Sequence, residues 1–235
     1  MSVKFFILGR PGSGKSTAAR HIRTLLRIRD CSCIRINDYK ILKKMYEAER
    51  EHQRFDRFRP IDNNGFDIID FEVLNQALER VRNLAEKHTS SADYDLVIIE
   101  FARADYSVAM QIFKPDFLRD AYFLFLDADL DTCIQRVHQR IRHPVTKDDN
   151  FISDEMIRNY YDKDNRLYMM STLAAEYNLD NKQIKIFENV GPLQDFIAIV
   201  DEFIEFILNR VNLKLQETDP IQVVPTLISD SELAK

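Results

Sequence analysis

The sequence has no tryptophan, only five glycines and three cysteines among 235 residues, and no apolar run approaching the roughly 18 residues of a membrane-spanning helix. So few glycines and seven scattered prolines exclude collagen-like and low-complexity chains. Cys31, Cys33 and Cys133 are an odd number, without a second close pair or a His pair at zinc-binding spacing. A disulfide framework is thereby excluded, and the thiols read as reduced and structural. Neither sign of charge dominates: 33 Lys and Arg against 38 Asp and Glu leave -5, so a polyanion would have to be met by a local basic cleft. The apolar stretch after Met1 is too short for a signal peptide, and a cytoplasmic protein with no membrane contact is expected.

What is present fits one large domain: 45% apolar and 30% charged residues, enough to build a single core at this length. β signals recur at 3–8, 33–36, 96–101, 122–126 and 184–187, several of them continuous apolar runs of the kind covered by helices on both faces. Between them, three- and four-residue apolar spacing predicts helices at 15–29, 38–53, 67–88, 129–142, 153–178 and 192–212, with Ser153 and Asp67 as starts. The expected fold is a three-layer α/β/α domain over 1–212 with a parallel sheet of about five strands, followed by a tail at 213–235 that lacks helical periodicity. Two stretches break the rhythm and read as loops: 54–65, within an acceptor-side region at 38–65, and a lid loop at 143–150.

Gly9-Arg10-Pro11-Gly12-Ser13-Gly14-Lys15-Ser16-Thr17 matches GxxxxGK[ST] between an apolar strand and a helical pattern. Three of the five glycines fall in it, where backbone N–H groups must converge on phosphate oxygens and the next helix adds its dipole. Gly9, Gly12, Ser13, Gly14, Lys15, Ser16 and Thr17 are therefore the expected phosphate cradle, with Lys15 reaching the β/γ-phosphates and Ser16 ligating Mg²⁺. No Asn-Lys-x-Asp element follows a later strand, which disfavours a regulatory GTPase.

Glu100 ends the 96–101 strand at the carboxyl edge of the sheet, where open α/β folds bind ligands. There it can orient a Mg²⁺-bound water or touch an acceptor; a solvated strand-end carboxylate is the plainer alternative. Arg103 shares that edge, as a surface ion pair or an acceptor contact. Arg136 and Arg140 stand one helical turn apart beside the lid loop and can clamp a transferring phosphate or form a solvated basic face.

On these residues the chain resembles the P-loop kinases of the nucleoside, nucleotide and polynucleotide kinase superfamily, most of all the polynucleotide 5′-hydroxyl kinases and related small kinases. Its phosphate loop is close to that group's GxPGSGKST, and Ile36-Asn37-Asp38-Tyr39-Lys40 is similar to its N-R-D-D-Y-R segment. The two-arginine helix and the segment from Phe151 to Tyr161 also resemble the group's lid helix and the helix after it. The resemblance implies an ATP- and Mg²⁺-dependent phosphotransferase, with Ser16 and Glu100 toward the metal and the turn at Asn189 and Gly191 beside the nucleotide base. The family's base position falls on Asn37, which cannot accept a proton, so Asp38 takes that role by a one-residue shift or caps the helix that follows. The favoured acceptor is a small nucleoside, nucleotide or other metabolite. The alternatives are a polynucleotide 5′-end, met through the Arg and Phe residues of 54–59, and a nucleotide switch or partner-regulated ATPase without an acceptor. The sequence leaves the oligomeric state open.

Overall fold

Strand β1 (Val3–Gly9) is buried at every position because helices cover it on both sides. Phe6 and Leu8 face one core and Phe5 and Ile7 the other, the period-2 alternation of a strand used twice over. The computed structural model describes residues 2–62, 65–142 and 151–211. In order these form β1, α1 (Lys15–Ile28), β2 (Cys33–Asn37), α2 (Asp38–Glu51), β3 (Phe58–Ile61), β4 (Gly65–Ile68), α3 (Glu72–Ser91), β5 (Leu96–Phe101), α4 (Tyr106–Ala109), α5 (Pro115–Leu118), β6 (Tyr122–Asp127), α6 (Leu130–Arg142), α7 (Asp154–Tyr160), α8 (Leu173–Tyr177), β7 (Ile184–Glu188) and α9 (Leu193–Arg210).

Five strands make a parallel sheet in the order β2-β5-β1-β6-β7. One face packs on α1 and α9 through Ala18, Ile22, Phe196 and Phe203; the other packs on α3 and the 106–118 segment through Leu78, Val81, Tyr106 and Phe113. The three-layer architecture is the expected one, and among the described residues no helix is long and apolar enough to cross a membrane. The cysteines are free, and burial pushes the Cys133 thiol up to about 11.

Two elements differ from what the sequence pattern predicts. Residues 58–68, read as loop running into a helix, form the antiparallel β3–β4 hairpin, and the helix starts at Glu72 rather than at Asp67. Packing explains it: Phe58 and Phe66 enter a third core with Leu42, Met45 and Tyr46 of α2 and Leu74 of α3, while Arg59 and Pro60 stay exposed. The helix expected over 153–178 begins at Ser153, whose side chain accepts the Met156 N–H, but ends at Tyr160. Backbone carbonyls of 161–163 are then taken by Arg10, and a π-helical turn (Tyr168–Thr172) leads into α8. The lid loop at 143–150 and the tail at 213–235 lie outside the described residues.

Candidate active site

The phosphate loop leaves the carboxyl end of β1, at the centre of the sheet, and delivers its residues to the start of α1. Gly12 and Gly14 hold φ of 85° and 105°, which only glycine adopts without strain. Their lack of Cβ also serves packing: a Cβ on Gly12 would strike the Cys133 backbone, and one on Gly14 would lie 2.5 Å from the Asn189 amide nitrogen. Helix α1 carries no side-chain cap bond, so its first N–H groups face the cleft. Lys15 Nζ donates to the carbonyls of Gly9 and Arg10, each at 2.8 Å. Burial lowers its pKa from the ordinary lysine value, against the opposing pull of Glu100 and Asp38.

Three side chains that sequence reasoning missed hold this loop. Gly9 N–H donates to the buried Tyr106 hydroxyl at 2.7 Å, and burial keeps that phenol protonated far above neutral pH. Arg10 donates to the carbonyls of Ala128 and Tyr161 at 3.1 and 2.7 Å, pinning the loop to the chain that follows α7. Asn165, itself buried, accepts the Tyr106 N–H at 2.9 Å and donates to Ala104 O at 2.8 Å. Tyr106 and Asn165 lie in no motif and Arg10 fills an unspecified position of one, and each partner is distant in sequence. Asn189, expected beside a nucleotide base, also donates to Ser13 O at 2.8 Å; with Gly191 it lines the cleft.

Glu100 is 2% exposed, which overturns the solvated alternative. It accepts from Ser16 Oγ at 3.1 Å and from Arg35 Nε at 2.7 Å, and Arg35 Nη2 donates to Ser16 Oγ at 3.0 Å. Arg35, on β2, was not anticipated: inside a continuous strand pattern nothing marks it as the cation for this carboxylate. Among the described residues there is no cluster of three metal-ligating side chains. Ser16 and Glu100 instead offer two hard oxygens beside the phosphate loop, a set that fits Mg²⁺ arriving with phosphate oxygens and water. Arg35 supplies the positive charge at that pair.

Asp38 does not cap α2. Asn37 does, its Oδ1 accepting the Tyr39 N–H at 2.8 Å, because the residue preceding the first helical position has the extended backbone that a cap needs. Asp38 is the first helical residue, 6% exposed, and bonded to Arg103 Nη1 at 2.5 Å. Arg103, equally buried, also donates to Leu74 O at 2.5 Å, so the surface ion pair considered from sequence is an interior one. Burial pushes the Asp38 carboxyl above the ordinary carboxylate range, and Arg103 pulls it back in part.

These groups converge on one cleft of about 870 Å³ whose lining includes Gly12, Gly14, Lys15, Ser16, Thr17, Asp38, Glu100, Arg136 and Arg140. Arg136 and Arg140, a turn apart on α6, approach from the side opposite β2, and Arg136 Nη1 has no hydrogen-bond partner among the described residues. The Arg and Phe stretch at 54–59 is largely engaged elsewhere: Arg57 pairs with Glu49, Arg59 with Asp67 and Glu155, and Phe58 is core.

A family profile described as AAA domain matches residues 6–158. No curated protein matches the sequence. Among solved structures, the chain is similar to a gluconokinase from Sinorhizobium meliloti 1021, at 12% identity over 89% of this chain and 95% of that one, with a TM-score of 0.50. It is also similar to the APS kinase of Mycobacterium tuberculosis solved with AMPPNP and APS, at 15% identity over 87% and 98% of the two chains, with a TM-score of 0.46. Shikimate kinase from Acinetobacter baumannii aligns at 14% identity over 92% and 97%, with a TM-score of 0.42. The gluconokinase likeness is one of fold: the three-layer P-loop architecture.

Proposed function

The chain belongs to this AAA domain family, and from that premise we propose that it is an ATP-dependent phosphotransferase acting on a small-molecule acceptor. One observation carries the reading. The cleft sets a phosphate loop between a buried carboxylate pair at one side and two arginines at the other, with Glu100 bonded to the loop's Ser16 and Asp38 standing apart on α2. A hydrolase or switch needs the loop and Glu100 but has no use for a second buried carboxylate facing a roomy cleft.

In this reading the backbone of 9–14 and Lys15 hold the β- and γ-phosphates, Lys15 exchanging its two loop carbonyls for phosphate oxygens. Ser16 and Glu100 would hold Mg²⁺, which when bound draws off the charge of the phosphates. Asn189, Gly191 and Leu193, which line the same cleft, would border the nucleoside of the donor. At the other end Asp38 accepts the proton of the acceptor hydroxyl as its oxygen bonds the γ-phosphorus and the bond to the β-phosphate oxygen breaks. Arg136 and Arg140 neutralise the transferring group. The catalytic domain is residues 1–212.

The test is ADP release with and without a library of hydroxyl and phosphate acceptors. Acceptor-stimulated turnover above the water-only rate is expected, absent in Asp38→Asn although that variant still binds ATP. Lys15→Ala should lose most ATP affinity by calorimetry while keeping its fold. ATP titrations identical to wild type in Lys15→Ala refute the phosphate-loop assignment, and turnover indifferent to every acceptor favours an ATPase.

A further inference from the structure

The acceptor end of the cleft is walled by carbon. Tyr39 and Leu42 from α2, Phe66 and Ile68 from β4 and Met156 from α7 line it. Tyr39 stacks on Phe66 at 5.6 Å and 12° between planes, and Phe66 on Tyr46 at 4.8 Å and 25°. This column of rings begins at buried Tyr46 and ends at half-buried Tyr39 in the cleft. Phe58 props it edge-on against Phe66 at 5.3 Å and 89°. The hairpin carrying Phe66 is fastened to the start of α7, Ser153 N–H donating to Asp67 Oδ1 at 3.2 Å and Arg59 reaching Asp67 and Glu155.

The polar groups at the start of α2 and the end of β2 each already hold a partner. Asn37 caps α2, Asp38 holds Arg103, and Arg35 holds Glu100. A polyhydroxylated sugar or sugar acid would set several hydroxyls against Leu42, Phe66 and Ile68 without partners, each at the cost of a lost hydrogen bond. A carboxylate acceptor needs a cation to receive it; Arg103 and Arg35 each already serve a buried carboxylate, and Arg136 and Arg140 are given to the transferring phosphate in the kinase reading. A flat ring meets neither difficulty: its face extends the ring column or lies along its apolar wall, and a single hydroxyl reaches Asp38.

Building on the kinase reading above, we infer that the acceptor is an alcohol borne on a planar aromatic or heteroaromatic ring system, and neither a sugar acid nor a carboxylate-bearing alicycle. The column of Tyr39 and Phe66 selects it by ring contact, and Asp38 is the one polar group that its hydroxyl must meet.

Wild-type protein loaded with a non-hydrolysable ATP analogue is titrated calorimetrically with thymidine, pyridoxine, gluconate and shikimate, and transfer from radiolabelled ATP is followed with the same four. Binding and labelling of at least one ring compound and of neither gluconate nor shikimate is expected. Tyr39→Leu, which keeps apolar bulk and loses the ring, should weaken the bound ring compound roughly tenfold and leave analogue affinity unchanged. Phe66→Leu should do the same, so that loss of folding in either variant leaves the other as a test. Labelling of gluconate or shikimate with rejection of both ring compounds overturns the inference while the kinase reading stands. Ring-compound affinity unmoved in the folded variants overturns it too, as does analogue-loaded protein that binds none of the four. Failure of the analogue itself to bind overturns the kinase reading.

Discussion

Replacing Arg103 by leucine removes the guanidinium from a pair in which neither side chain is more than 9% exposed. Asp38 keeps its carboxylate in an interior with no other cation bonded to it among the described residues, and Leu74 O and Ala102 O each lose a donor. Breaking one partner of a buried pair costs about 3–5 kcal/mol, because the stranded charge pays desolvation without its Coulombic return. For a chain of this size that corresponds to a fall in Tm of roughly 6–20 °C. The deficit also has a sign in pH. Asp38 already titrates above the ordinary carboxylate range, and losing Arg103 raises it further. A carboxyl with a raised folded-state pKa favours the folded state below its unfolded pKa and loses that contribution as pH rises through the folded one. The gap between Arg103→Leu and wild type should therefore be smaller at pH 5 than at pH 8. Adding Asp38→Asn removes the stranded charge and should restore most of the loss, giving a large coupling in the double-mutant cycle. Urea melts of the four proteins at both pH values decide it. A deficit below about 1 kcal/mol, or one that neither pH nor Asp38→Asn changes, refutes the argument that this pair is buried and charged.

Arg136→Ala and Arg140→Ala should each lower kcat by about 10²-fold with a smaller change in KM, as expected of groups that act on charge developing in the transition state; steady-state kinetics in which only KM moves would make them ground-state binders. Gly14→Ala places a Cβ against the Asn189 amide on a backbone with φ of 105° and should cost roughly 1–3 kcal/mol together with most ATP affinity. Asn189→Ala in that background relieves the collision but not the dihedral strain, so urea melts should show partial recovery; a wild-type Gly14→Ala would refute the packing. Arg35→Gln leaves the Ser16 and Glu100 oxygens without their neighbouring cation. Added Mg²⁺ should then raise the Tm of nucleotide-free Arg35→Gln more than that of wild type, and equal shifts would show that Arg35 and the ion do not share the site.

The sequence by itself determined the elements whose signal is local. Five apolar runs became five parallel strands because a strand covered on both faces needs no alternation, and the phosphate loop is a contiguous motif whose glycines answer to backbone dihedral angles. The one-turn spacing of Arg136 and Arg140 sufficed to place both in the cleft. The hairpin of 58–68 escaped because its four-residue strands are stabilised only by packing Phe58 and Phe66 on α2 and α3, contacts with no periodic trace. Only the tertiary structure decided which charge belongs to which. Asp38 and Arg103 are 65 residues apart, as are Arg35 and Glu100, and Tyr106 meets Gly9 across 97. The sequence marked Gly9, Asp38, Glu100 and Arg103 singly, and nothing in it joined any of them to its partner. Parallel strand order brings β2 and β5 side by side and aims their carboxyl ends at one cleft, and burial there makes each cation and carboxylate depend on the other.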